Sequence, residues 1–263
     1  MLFLTPFITA YCLILAFILG AVFASFLGCM GWRICNRESI LKGHSHCDFC
    51  GHVLKAHDLI PIFSYAMRKG RCKYCNAKIP SLNFYGEIVL AFLFVLTVLR
   101  FNISVECVLM LFFLCILYLV SVTDLYDQII PDSCLITAIV VRVIYFCFIE
   151  GFQWNALFAL IGNGFAVSLP LLFLVLLMEK AWKKEAMGGG DIKLLFVTGM
   201  YLGWAENLLA IFIACIVGIA VGLRQAKKEE SSVYFPFGPS IALGAAFSML
   251  CGTELLEAYM SLF

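Results

Sequence analysis

Two sets of side chains in this sequence are typed and spaced for chemistry. The first is a pair of acids at the ends of apolar runs. Gly188-Gly189-Gly190-Asp191 opens the run Ile192-Lys193-Leu194-Leu195-Phe196-Val197, and Asp124 closes an earlier run just before Asp127 and Pro131-Asp132. An acid at the mouth of a membrane helix is costly and marks a candidate functional site. Glycines belong where backbone must approach something closely or take a positive φ. Two aspartates held close together share one proton, because like charges a few ångströms apart resist joint ionisation. The ionised member then takes a proton from water while the protonated one hydrogen-bonds a scissile carbonyl, which is peptide hydrolysis without a nucleophilic side chain or a metal.

Each of these residues also has a plainer reading. Asp191 at a helix start resembles a cap, although three preceding glycines exceed what a cap needs, and Asp124 alone reads equally well as an interfacial residue. Asp132 follows Pro131 at a helix start, where an acid suits the N-terminal dipole, and is assigned a cap role. Asp127 is expected to be solvated and Lys193 to be an interfacial cation. Arg142, well inside an apolar run, either pairs with an acid or faces a polar cavity. Glu87 is either an interfacial acid or part of a site.

The second set is Cys47-Asp48-Phe49-Cys50 with Cys72-Lys73-Tyr74-Cys75. Two C-x-x-C pairs about twenty residues apart match a four-thiolate zinc site, here Cys47, Cys50, Cys72 and Cys75. With every ligand position filled by Cys, the metal is structural, stapling two knuckles too small to fold alone. The alternatives are paired thiols without metal, or redox chemistry. His44, His46, His52 and His57 lie nearby and could replace a ligand, but surface histidines are the simpler assignment.

The elements that must position these groups are membrane helices. The 263-residue chain is 63% hydrophobic and 13% charged, with a mean hydropathy of +1.00. Soluble domains are closer to half apolar and a quarter charged. Apolar stretches of spanning length fall at about 7–31, 84–100, 105–123, 131–149, 155–178, 191–204, 206–223 and 235–252, the sixth being short. The fold class is therefore all-α and polytopic, with about eight transmembrane helices and a small soluble domain inserted after the first. The expected domains are residues 1–35, the first helix; 36–83, the tetracysteine zinc-binding domain; and 84–263, the membrane-embedded catalytic part. The start of the chain lacks the basic region of a signal peptide and reads as a retained helix. Most of the other cysteines, such as Cys12, Cys107, Cys115 and Cys215, lie inside apolar runs as small packing residues.

Of 18 Lys and Arg, all but Arg100 and Arg142 fall in the loops after the first helix, around the fifth connection and around the seventh. They include Lys42, Lys184, Lys227 and Lys228. By the positive-inside rule these loops are cytoplasmic and the N-terminus is outside. Asp124 and Asp191 then both face the cytoplasm, so neither must cross the membrane to meet the other. A cytoplasmic cysteine domain also argues against disulfides.

Taken together, the motifs resemble the type IV prepilin peptidases, membrane aspartic proteases of the G-x-G-D type. The resemblance runs over nearly the whole chain. It includes Ser25-Phe26-Leu27, the twin C-x-x-C domain, Gly51-His52, Ile60-Pro61, Ser64-Tyr65, Gly70-Arg71-Cys72 and Tyr85 with Glu87. It continues through Asp124, Pro131-Asp132, Gly188, Gly190, Asp191, Lys193-Leu194 and Phe237-Gly238-Pro239. Two positions depart from the usual pattern: Ala24-Ser25 stands where Gly-Ser is common, and His46 precedes the first cysteine where Arg is frequent.

The resemblance implies cleavage of the leader from type IV prepilins or pilin-like precursors at the cytoplasmic face. Asp124 and Asp191 would be the catalytic acids and Gly188, Gly190 and Lys193 the supporting motif. It further implies N-methylation of the new terminus with S-adenosylmethionine, whose site no glycine-rich loop marks. The implied setting is the bacterial inner membrane beside pilus-assembly or type II secretion machinery, with lipid and precursor, and no nucleic acid, as partners. The rival from another class is an ion-coupled transporter, which would show internal repeats with paired broken helices; none is visible. A presenilin-like protease cutting within helices is a second rival. The cytoplasmic level of both acids and the zinc domain argue against it.

Overall fold

Backbone in lipid must satisfy its own hydrogen bonds, so apolar runs of this length become helices. The computed structural model describes residues 5–39, 43–47, 49–183, 187–226 and 236–262. Asp48, Phe235 and the cations Lys42, Lys184, Lys227 and Lys228 lie outside the described residues. The helices are α1 (Pro6–Cys35), α2 (Phe63–Met67), α3 (Leu82–Phe101), α4 (Val105–Asp127), α5 (Asp132–Tyr145), α6 (Trp154–Trp182), α7 (Gly189–Leu202), α8 (Trp204–Ala226) and α9 (Gly238–Met260). A π-helical turn, Phe146–Gly151, extends α5. No β-strand forms among the described residues, only isolated bridges at His46–Val53 and Arg71–Lys78.

Each expected run forms a helix where it is described. Among the described residues seven helices are long and apolar enough to span; α7, with 14 residues, is the short one. At 1.5 Å per residue it extends about 21 Å, against about 30 Å of hydrocarbon. Gly203 ends it at φ 91°. α6 and α9 run past the hydropathy limits because charged helix formers continue them, Glu179 and Lys180 in α6 and Glu254 and Glu257 in α9.

The chain divides into two compact units, Met1–Thr123 and Asp124–Phe263, with the boundary inside α4. In the first unit α1 packs on α3 through its small residues. A Cβ at Gly20 would lie 2.7 Å from the Ala91 Cα, and one at Gly31 would lie 2.6 Å from the Val122 Cγ1 on α4. Such a row of small side chains lets helices approach where lipid offers no hydrophobic drive for association.

Between α1 and α3 the two cysteine knuckles repeat one geometry. Gly51 donates its N–H to the Cys47 carbonyl at 2.8 Å, and Asn76 donates to Cys72 at 3.0 Å. Both residues have positive φ, 67° and 60°, the turn conformation for which Gly and Asn are chosen. Asp58 is buried and accepts from the Lys55 N–H at 3.0 Å, the Tyr74 hydroxyl at 3.2 Å and the Arg68 guanidinium.

In the second unit α8 and α9 meet at Gly244, which leaves no room for a side chain against the Ala210 backbone. Gly164 of α6 receives the Phe196 ring of α7, at 2.7 Å from where a Cβ would lie. Thr198 of α7 donates to the Asn207 side chain at 2.7 Å, and Asn207 of α8 donates to the Leu195 carbonyl at 2.9 Å. Both residues are fully buried, and a satisfied polar pair at that depth fixes the register of α7 against α8.

Candidate active site and metal centre

Asp124 stands in the last turn of α4 and Asp191 in the first turn of α7. Only 5% of Asp124 and 8% of Asp191 is exposed, so both acids are withdrawn from bulk water. The two carboxyls interact electrostatically. The Gly238 N–H, at the start of α9, donates to Asp124 Oδ2 at 2.8 Å. An N-terminal N–H and the positive end of the helix dipole are where a carboxylate is best received.

Glycine makes that contact possible. A Cβ on Gly238 would sit 2.7 Å from Asp124 Oδ2 and 3.1 Å from Cγ. The glycines ahead of Asp191 divide in the same terms. A Cβ on Gly188 would lie 3.3 Å from Asp191 Oδ2 and one on Gly190 would lie 3.0 Å from the Ile130 Cβ, whereas Gly189 faces open space. None of the three has a positive φ. They serve close approach, and two of them suffice.

The neighbouring charges have specific partners. Lys193 Nζ pairs with Asp132 Oδ1 at 2.7 Å with both side chains exposed, joining the second turn of α7 to the first turn of α5. Asp132 is the first residue of α5 and the acid of its first turn, at the positive end of the helix dipole. Asp127 is exposed. Arg142 donates to the Met200 carbonyl at 2.9 Å and to Glu150 Oε1 at 2.7 Å, so its partners are a helix carbonyl and an acid in the π turn. Glu87 is buried in the first unit and accepts the Ile62 N–H at 2.6 Å.

The residues missed from sequence were Gly238 as a donor, Ile130 as the wall behind Gly190, and Glu150. Gly-Pro at a helix start was the available signal for the first. Ile130 carried none.

In the first unit the sulfurs of Cys47, Cys50, Cys72 and Cys75 all lie within 4.8 Å of one another. Tetrahedral zinc at about 2.3 Å from each sulfur needs sulfurs about 3.8 Å apart, and Cys47 Sγ and Cys75 Sγ are 3.8 Å apart. The donor set fits a metal ion. The Cys75 and Tyr74 N–H groups hold the Cys72 thiol down to about 7, which favours the thiolate a metal requires. The histidines stand aside: His52 stacks on Tyr74 with ring centres 3.6 Å apart, and His57 Nε2 lies 3.1 Å from Asp58 Oδ1.

Fold and site together define a multi-pass helical membrane protein with paired buried acids and a four-cysteine cluster. The model described as "Bacterial Peptidase A24 N-terminal domain" matches residues 18–101, and that of the "Type IV leader peptidase family" matches 111–223. A prepilin leader peptidase/N-methyltransferase from Bacillus subtilis is 32% identical over 254 residues, covering 94% of this chain and 97% of the relative. One from Pseudomonas putida is 27% identical over 279 residues, covering 96% and 95%. One from Pseudomonas aeruginosa is 29% identical over 224 residues, covering 84% and 76%. No solved structure matches the chain. The chain belongs to the type IV leader peptidase family.

Proposed function

We propose that this protein removes the leader peptide from a type IV prepilin or pilin-like precursor at the cytoplasmic face of the bacterial inner membrane, using Asp124 and Asp191 as a catalytic pair. The observation that carries the proposal is the burial of both acids at helix ends within one unit, with Gly188, Gly190 and Gly238 each too close to a neighbour to tolerate a side chain freely. A negative charge on Asp124 meets the Gly238 N–H at 2.8 Å. Asp191 then holds the shared proton and donates a hydrogen bond to the scissile carbonyl. Asp124 accepts a proton from water as the water oxygen attacks the carbonyl carbon, and Asp191 passes its proton to the carbonyl oxygen, giving a gem-diol. The C–N bond breaks as the amine takes the proton from Asp124 and a gem-diol hydroxyl returns one to Asp191, which restores the single shared proton.

The four cysteines hold a structural zinc that fixes the knuckles and leaves no open coordination position. The likeness to prepilin leader peptidase/N-methyltransferases also supports a second step. The new terminal amine attacks the methyl group of S-adenosylmethionine, S-adenosylhomocysteine leaves, and the amine loses a proton. No residue is assigned to that cosubstrate.

The test is cleavage of a prepilin in membranes holding wild type, Asp124→Asn or Asp191→Asn, with S-adenosylmethionine present and the product's N-terminus read by mass spectrometry. Loss of cleavage in both variants, at undiminished protein level, is expected, with wild-type product heavier by one methyl. Cleavage near wild-type rate in either variant overturns the catalytic pair.

A further inference from the structure

The segment Leu59–Met67 of the cysteine domain carries apolar side chains that no core takes up. Leu59, Ile60, Phe63 and Met67 are exposed, Phe63 by 59% and Met67 by 68%. Phe63 and Met67 are four residues apart on α2, and so lie on one face of it. Bulky apolar side chains clustered in a polar loop mark a contact surface.

Where the segment sits identifies the partner. Ile62, immediately ahead of α2, donates its N–H to Glu87 at 2.6 Å, and Glu87 lies five residues inside the spanning helix α3, which begins at Leu82. Five residues of helix is roughly 7.5 Å. The Tyr65 ring stacks on Phe84 with centres 4.6 Å apart and planes 19° apart. Both contacts hold the segment against the first turns of a membrane helix, which is the level of the bilayer interface. Ile62 takes φ 62° there, a backbone region that a β-branched residue occupies only when its surroundings impose it. The exposed cations Lys69 and Arg71 lie two and four residues after Met67.

We propose that Leu59–Met67 is an interfacial membrane anchor: Leu59, Ile60, Phe63 and Met67 enter the acyl boundary of the leaflet from which α3 starts, and Lys69 and Arg71 bind anionic phospholipid headgroups. A short apolar helix face flanked by cations is the pattern of a segment lying in the headgroup zone. The anchor holds the metal-binding knuckles against the bilayer, where a membrane-bound precursor would be presented.

The test replaces Phe63 or Met67 with p-benzoylphenylalanine in the full-length protein. The protein is placed in nanodiscs of mixed phosphatidylethanolamine and phosphatidylglycerol, irradiated, and its adducts are read by mass spectrometry. Retained metal content confirms that each labelled domain is folded. Phospholipid adducts are expected at both positions, with phosphatidylglycerol enriched over its share of the disc. Each cation is worth about a fivefold preference for anionic lipid, so Lys69→Glu with Arg71→Glu should abolish that enrichment while adducts persist. Adducts to a second copy of the chain, to an added prepilin, or to nothing at either position overturn the proposal. Adducts that show no dependence on lipid charge overturn its headgroup part. Because the readout is lipid labelling, the result is independent of whether Asp124 and Asp191 cleave prepilin.

Discussion

The cysteine-bearing unit and the acid-bearing unit assemble their functional groups in opposite ways. In the first, each knuckle is closed by hydrogen bonds between residues four or five apart, such as Gly51 N–H to the Cys47 carbonyl and Cys47 N–H to the His52 carbonyl. The ligands are delivered by a turn that the local sequence dictates. In the second, Asp124 finds its N–H donor 114 residues away, and its neighbours are set by glycines on two other helices. A chelating centre tolerates imprecise surroundings, because the ion itself draws the sulfurs together. A paired-acid centre has no such ion, so its precision depends on how closely helix ends can approach.

The strongest way to break this comparison is at the acids. Asp124→Asn and Asp191→Asn should each lower leader cleavage by on the order of a thousandfold or more, since each removes a proton-transfer partner and not just a contact; single-turnover cleavage in membranes measures it. Next is Gly238→Ala, whose methyl lands on the Asp124 carboxyl. Displacing that acid by about an ångström should cost roughly a hundredfold in rate with little change in protein level.

Cys72→Ser with Cys75→Ser should remove all bound zinc by metal analysis and expose the knuckles to protease, yet reduce cleavage less than Gly238→Ala does. A larger effect on cleavage would mean that the two units are not separable in function. Gly190→Ala, crowding Ile130 at 3.0 Å, should slow cleavage about tenfold, while Gly189→Ala, with open space around it, should leave the rate unchanged. Equal behaviour would show that the glycines serve flexibility and not fit.

The smallest effect is expected at Asp58. Burial alone would push its carboxyl up, but the Arg68 guanidinium, the Lys55 N–H and the Tyr74 hydroxyl outweigh that and hold it well below the usual carboxylate range. A carboxyl depressed by folding adds stability that is fully present above its unfolded value of about 3.9 and is lost as pH falls through the folded value. Limited proteolysis of the knuckles should find Asp58→Asn weaker than wild type at neutral pH, with the difference closing below about pH 4.

The helices and the cysteine site were legible because their signals are local: a run of apolar residues, or two C-x-x-C turns. The placement of Asp124 and Asp191 at helix ends was legible too, since each stands where an apolar run stops or starts. What stayed hidden depended on contacts across the fold. Arg142 gave no sign that its partners would be Glu150 and the Met200 carbonyl. Ile130 looks like any loop aliphatic until Gly190 is set against it. Glu87 could be noticed but not interpreted, because its partner is a backbone N–H in a different element.

The bond from Gly238 to Asp124 also bears on the order in which the protein is made. Asp124 and Asp191 are both synthesised before the last helix, but the amide that receives Asp124 is the first residue of that helix. A ribosome-bound chain that has not reached Gly238 therefore holds both acids and lacks the donor that settles one of them. That hydrogen bond is therefore among the last contacts of the fold to form, made only when α9 enters the membrane.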